Sequence, residues 1–130
     1  MKNKTPKIIL RSLASLIAAG LLVGTVLAAD SSEDKIKLVM KTCHKAPKGE
    51  EPICKKAVDG RATPDELKKL VAGYKTLTTV KPPRGDEASW KEKTGKLLAA
   101  AEAMEKGEAG AAAKYKAVLD CKGCHTVHKP

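Results

Sequence analysis

Apolar residues at helical spacing mark the first element of the chain. Its apolar face consists of residues at positions i, i+3, i+4 and i+7: Ile36, Val39, Met40 and Cys43. The helix is predicted to begin near Ser31 or Ser32, and Asp34 in its first turn suits the positive end of the helix dipole. Pro47 and Gly49 then end it.

Capping signals predict a second long helix further along the chain. Thr63 is its N-cap, Pro64 occupies the first helical position, and Glu66 completes a capping box. Its apolar stripe comprises Leu67, Leu70, Val71, Tyr74 and Leu77. A short helix over residues 52–58 is predicted to precede it.

Two more helices complete the pattern. The Lys-Pro-Pro-Arg-Gly stretch at 81–85 cannot continue a helix and is typical of a stiff, extended connector. Asp86 can cap a third long helix that extends to about Lys106, and a fourth is predicted from about Ala111 into Cys121 and beyond. Since no alternation typical of strands is present, the pattern predicts an all-α fold, an antiparallel four-helix bundle.

The first 29 residues are predicted to be a signal peptide rather than part of this fold. Four basic residues and no acidic ones precede an apolar run over 13–29, which ends in small residues where a signal peptidase would cleave, after Ala28 or Ala29. A retained membrane anchor is the alternative. Residues 30–130 are then one exported domain, in the periplasm or an equivalent extracytoplasmic compartment.

Composition narrows the classes of partner. The chain carries 25 basic and 15 acidic residues, a net charge of +10, and loss of the four basic residues in the leader would reduce it to +6. Such a surface suits acidic protein partners. The aromatic residues are only Trp90, Tyr74 and Tyr115, which argues against a nucleic-acid-binding platform. With no Phe and many Ala residues the core is thin, and a large apolar cofactor would add to it.

The sequence Cys-Lys-Gly-Cys-His at 121–125 is the candidate functional motif. Cys121 and Cys124, one helical turn apart, can form thioethers with the two vinyl groups of a haem, and His125 then lies beneath the iron as its proximal ligand. A secretory leader strengthens this prediction, because c-type haem is attached outside the cytoplasm.

Three other readings of the motif remain. Cys121 and Cys124 could form a thioredoxin-like redox pair, but the βαβ context of such pairs is missing. Together with His125 and His128 they could bind zinc, although four ligands would crowd into eight residues. A plain disulfide between the two cysteines is the third. His128 is expected to face solvent or a haem propionate rather than to bind metal.

An all-helical exported chain with this motif on its last helix resembles the class II c-type cytochromes, the cytochrome c-prime type of four-helix bundle. More narrowly, the Val-Met-Lys at 39–41, the connector at 81–86 with Ser89 and Trp90, and the ending 121–129 are similar to small monohaem cytochromes of planctomycetes. Among these are anammox cytochromes with His/Cys haem ligation. The resemblance implies one covalent haem c, and it implies that the first helix covers the distal face of that haem.

Three residues of the first helix are candidate distal ligands of the iron. Cys43 would give a thiolate-ligated haem of low reduction potential, His44 a bis-histidine haem, and Met40, which aligns best with the residue that relatives place near the iron, a His/Met carrier. An open distal site is the fourth option. The alternative for Cys43 is a disulfide with Cys54, the other spare cysteine of an exported protein, and such a disulfide would exclude it as a ligand.

The expected function is electron transfer between redox partner proteins, not catalysis, since no acid–base pair or nucleophile constellation is evident. Binding of NO or CO at the distal face is the alternative function, and a haem-free metal-binding helical protein is a third. The class implied by the resemblance often dimerises, so a homo- or heterodimer is expected. Nucleic acid and stable membrane insertion after cleavage of the leader are not.

Overall fold

The structure is a computed structural model that describes residues 31–130, and this part of the chain folds into six helices. They are α1 (Ser32–Cys43), α2 (Ile53–Val58), α3 (Pro64–Thr79), α4 (Glu87–Glu105), α5 (Ala111–Val118) and α6 (Cys121–His128). The all-α prediction is confirmed for these residues, which contain no β-strand. None of their helices is both long and apolar enough to cross a membrane. The predicted signal peptide, residues 1–29, lies outside the described residues.

The helices begin at the predicted caps. The side chains of Ser31 and Asp86 each accept a hydrogen bond from the backbone N–H three residues further on. At α3 the capping box is complete, because Thr63 accepts from the Glu66 N–H at 3.2 Å while the Glu66 carboxylate accepts from the Thr63 N–H at 2.9 Å. Such bonds satisfy N–H groups that have no partner within the helix. The short helix predicted over 52–58 is α2.

The core lies around α3, which packs against both α1 and α4, while α4 also packs against α5. α3 supplies four buried side chains to it: Leu70, Val71, Tyr74 and Leu77. Trp90 of α4 is buried as well, and its indole N–H donates to the Leu77 carbonyl at 2.9 Å. A buried indole N–H needs such an acceptor, so this bond fixes the depth at which α4 lies against α3.

The last helix differs from the prediction. A single helix was expected to continue from about Ala111 through the cysteine motif, but α5 ends at Val118 and α6 begins only at Cys121. The cause is Asp120, whose carboxylate accepts from the Gly123 N–H at 2.8 Å and caps a new helix. An Asp side chain that caps a helix competes with helical continuation through the same residue. The break sets the direction of α6 independently of α5.

The C-terminal end of α6 is held by the connector between α3 and α4. The Arg84 guanidinium donates to the carbonyls of Thr126 and Val127, at 2.6 and 3.2 Å, and so satisfies groups left free at the helix end. Gly85 has a φ of +82°, and a Cβ there would lie 2.8 Å from the Val127 carbonyl oxygen. Only glycine permits both that backbone conformation and that approach.

His128 is buried, contrary to the expectation that it faces solvent or a propionate. Its Nδ1 hydrogen-bonds the Arg84 carbonyl at 3.0 Å, its Nε2 hydrogen-bonds the Ser89 hydroxyl at 3.3 Å, and its ring meets Trp90 edge to face. Both ring nitrogens have partners, so burial of this polar side chain carries little desolvation penalty. His128 fastens α6 to the start of α4.

Candidate functional site

A cavity of about 560 Å³ opens beside the cysteine motif. Most of its wall is apolar, and seven such residues line it: Met40, Leu77, Trp90, Leu97, Ala117, Val118 and Leu119. Cys121, Cys124 and His125 line the same cavity from α6, and His44 and Cys54 contribute from α1 and α2. The structure therefore brings the motif together with two of the three predicted distal candidates, Met40 and His44.

The start of α6 determines how the motif meets the cavity. Cys121 and His125 are exposed, whereas Cys124 is half-buried and packs against the core. Burial raises the pKa of the Cys124 thiol. A Cβ on Gly123 would collide with the capping carboxylate of Asp120, so a side chain at this position would displace the cap.

Cys43, the third distal candidate, is not among the residues that line the cavity. Its side chain is buried between α1 and α3, where the thiol donates a long hydrogen bond to the Lys69 carbonyl at 3.7 Å. A Cβ on Gly73 would lie only 3.0 Å from its sulfur, so the contact with α3 is close. Burial, and to a lesser degree Cys54, raises the pKa of Cys43 to about 11, which disfavours a thiolate.

Cys54 is the cavity residue that the sequence did not assign to the site. A disulfide with Cys43 was the alternative weighed for it, and in the structure both are free thiols. Cys54 is buried in α2, and burial followed by the neighbouring Cys121 raises its pKa. Cys54 lies in a short helix of about one and a half turns, and no sequence motif around it indicates that it lines the cavity.

His44 ends α1 and is held by two buried tyrosines. The Tyr74 hydroxyl is 3.2 Å from His44 Nε2 and also hydrogen-bonds the Tyr115 hydroxyl. Burial, with a smaller contribution from the nearby His125, lowers the pKa of His44 to about 4, so His44 is neutral at physiological pH. Burial also raises the pKa of Tyr74 and Tyr115, which remain protonated.

Charged side chains from α4 and from the start of α6 line part of the cavity wall. Lys93 and Lys96 of α4 both line it, with Glu92 and Asp120 beside them. Lys93 is 3.8 Å from the Asp120 carboxylate, and Lys96 pairs with Glu92 one helical turn away. The Lys96 side chain is exposed and that of Lys93 is half-buried, and ion pairs at such positions rearrange at little cost. The lysines are therefore available to an acidic group that occupies the cavity.

The zinc reading of the motif is wrong. The imidazole of His128 is buried against Arg84, Ser89 and Trp90 and does not converge with the cysteines. Within residues 31–130 no group of three or more His, Cys, Asp or Glu side chains is arranged to hold a metal ion. The thioredoxin-like reading lacks its βαβ context as well, because this part of the chain has no strand.

A haem fits the residues that surround the cavity. Its apolar faces suit a wall of Leu, Val, Met and Trp side chains, its vinyl groups suit two thiols one helical turn apart, and its iron suits an imidazole beside them. Acidic propionates would have Lys93 and Lys96 within the same wall. All four cysteines are free, so Cys121 and Cys124 are chemically available for attachment.

Comparison with protein-family models, with curated proteins and with solved structures found no match to this chain. Any function assigned to it therefore depends on the residues of the cavity themselves.

Proposed function

We propose that this chain is an exported monohaem c-type cytochrome that transfers electrons between partner proteins. Cys121 and Cys124 would hold one haem c through thioether bonds, and His125 would be the proximal ligand of its iron. The observation that carries the proposal is the convergence of these three side chains on an apolar cavity of about 560 Å³. Such a haem supplies a one-electron iron couple.

The chain's own residues would set the properties of that couple. Leu77, Trp90 and Leu97 would shield a bound haem from water, which would favour the less charged form of its iron centre. Asp120 and Gly123 hold the orientation of α6 and with it the direction of His125. Lys93 and Lys96 would neutralise propionates. We propose a carrier rather than an enzyme.

The type of helical bundle, the export of the chain and its dimerisation are part of the same proposal. The contacts of α1 with α3, α3 with α4 and α4 with α5 support a bundle of the cytochrome c-prime type, in which α5 and α6 together replace its fourth helix. Residues 1–29 would direct export to the periplasm or an equivalent compartment. A homo- or heterodimer belongs to the proposal as well, and the exposed Leu38 on α1 offers apolar surface for one.

The distal ligand is proposed from the residues of the cavity wall. Met40 lines the cavity and is our first candidate, with Cys54 second. For Cys43 to bind iron, its side chain would have to leave the close contact with Gly73. His44 could bind through Nε2 only by giving up Tyr74.

Low-temperature EPR of the oxidised protein tests this assignment. We expect Met40→Leu to change the low-spin signal, or Cys54→Ala to do so if a thiolate is bound, while Cys43→Ala leaves it unchanged. A thiolate-type signal that disappears only in Cys43→Ala would instead make Cys43 the ligand.

A potentiometric titration of the purified protein tests the carrier function. We expect a haem spectrum that converts fully and reversibly between two forms with a one-electron dependence on potential. A haem that cannot be reduced, or whose reduction is irreversible, would rule out electron transfer.

Binding of NO or CO is the second candidate function, and the presence of His44 in the cavity wall favours it. Donors on the distal side are what distinguish ligand-binding haem sites from simple carriers. Addition of NO or CO to the reduced protein should shift the Soret band. An unchanged Soret band would rule out gas binding, and electron transfer would remain as the proposed function.

A further inference from the structure

His44, Tyr74 and Tyr115 form a hydrogen-bonded row that ends at the cavity. Tyr115 lies on α5 and Tyr74 on α3, and both rings are fully buried and stacked at 6.2 Å between their centroids. The Tyr74 hydroxyl joins Tyr115 on one side and His44 Nε2 on the other. His44 is half-buried and lines the cavity.

The number of donors and acceptors fixes the direction of this row. The Tyr115 hydroxyl has one hydrogen-bond partner within the described residues, the Tyr74 hydroxyl. If His44 donated to Tyr74, and Tyr74 to Tyr115, the Tyr115 hydrogen would be left in the core without an acceptor, which is costly. In the opposite direction Tyr115 donates to Tyr74, Tyr74 donates to His44 Nε2, and both hydroxyl hydrogens are accepted.

This direction assigns the proton of the neutral His44 ring to Nδ1, because Nε2 is the acceptor at the end of the row. No group of residues 31–130 accepts a hydrogen bond from that nitrogen, and no buried side-chain nitrogen or oxygen among them lacks a partner. Nδ1 is therefore accessible. In this direction the row leaves an exposed N–H donor at Nδ1 of His44, a residue that lines the cavity.

We propose that His44 Nδ1–H donates a hydrogen bond to the outer atom of a diatomic ligand bound at the iron, and that Tyr74 and Tyr115 are positioning residues that hold the ring in the donor tautomer. This inference rests on the proposed function, since it requires a haem in the cavity. It specifies the ligand class: molecules that gain negative charge on their outer atom when bound to reduced iron.

The test is the C–O stretching frequency of the CO complex of the reduced holoprotein, measured by infrared spectroscopy. A donor at the outer oxygen lowers this frequency, so His44→Leu should raise it. Tyr74→Phe should split or broaden the band because the ring is no longer held. Leu119→Met is the matched control, an apolar change of similar volume in the same wall, and should leave the frequency unchanged.

Ligand dissociation gives a second readout. One lost hydrogen bond corresponds to about a 2- to 10-fold faster release of NO from His44→Leu. His44→Gln retains an N–H donor and should recover part of the effect, and it serves as the test variant if His44→Leu does not fold.

Identical frequencies and release rates in the parent and both His44 variants, at equal haem content, would overturn the inference. So would failure of the reduced holoprotein to bind either gas. Absence of haem from the purified protein would instead be a failure of the proposed function, and the haem content of each sample distinguishes the two.

Discussion

Burial of His44 at the end of α1 has a consequence for the pH dependence of folding. Its pKa falls from an ordinary value of 6.5 to about 4 in the folded chain, mainly through burial. The unfolded chain therefore binds a proton at His44 more readily than the folded chain does. The stability due to the neutral ring is fully present above pH 6.5 and is lost as the pH falls towards 4.

His44→Gln removes this titration. We expect the free energy of unfolding of the parent to fall between pH 6.5 and 4 by up to about 3 kcal/mol more than that of the variant. Urea denaturation at a series of pH values measures the difference, and carboxylates common to both proteins cancel. Parallel stability curves would show that His44 is not buried as described.

His128 holds α6 in place, because its ring hydrogen-bonds two partners and contacts Trp90. His128→Ala is expected to reduce the free energy of unfolding by about 2–4 kcal/mol, because it leaves a cavity and frees the Arg84 carbonyl. The neighbouring Val127→Ala, at a residue that is 40% exposed, should cost less than about 1 kcal/mol. Equal costs in urea denaturation would contradict this role.

Between elements, α1 approaches α3 closely at Gly73. A Cβ at this position would lie 3.0 Å from Cys43 Sγ and 3.1 Å from Val39 Cγ1. Gly73→Ala gains about 1 kcal/mol of helix propensity, but overpacking costs about 1–3 kcal/mol. We expect a net destabilisation of about 1 kcal/mol, measured by thermal or urea denaturation.

Two further variants isolate the cause. In Gly73→Ala with Cys43→Ala the sulfur is absent, so the cost of the new methyl group should shrink. Gly95→Ala is the matched control in α4, because a Cβ there meets nothing within 4 Å, and it should stabilise the protein. A Gly73→Ala protein that is as stable as Gly95→Ala would mean that α1 and α3 are further apart.

Helix starts were predictable from sequence because caps are local. Thr63, Pro64 and Glu66 specify the start of α3 within four residues, and Asp86 does the same for α4. The break at Asp120 was missed because a helix-compatible pattern runs through it, and only the packing of α6 reveals that its carboxylate caps a new helix. The packing partners of Cys43 and Cys54 could not be predicted either, because periodicity assigns a residue to a helix face but does not identify the neighbour that it contacts.

For the whole molecule, the cavity is the feature that joins chemistry to fold. All six helices contribute to its walls, α3 through Leu77 and α5 through its C-terminal end. The motif Cys121, Cys124 and His125 predicted one side of this site. The opposite wall, with His44 fixed by Tyr74, depends on contacts 30 residues apart in the sequence and emerges only from the folded chain.

Covalent haem attachment is the central claim, and intact mass spectrometry of the denatured protein tests it most directly. The full chain is produced in a host that attaches c-type haem, and its mass is compared with those of Cys121→Ala/Cys124→Ala and of the matched control Cys43→Ala/Cys54→Ala. We predict the added mass of one haem in the parent and in the control, and none in the motif variant. A parent protein of unmodified mass, from a host that matures a known c-type cytochrome in parallel, would contradict the account.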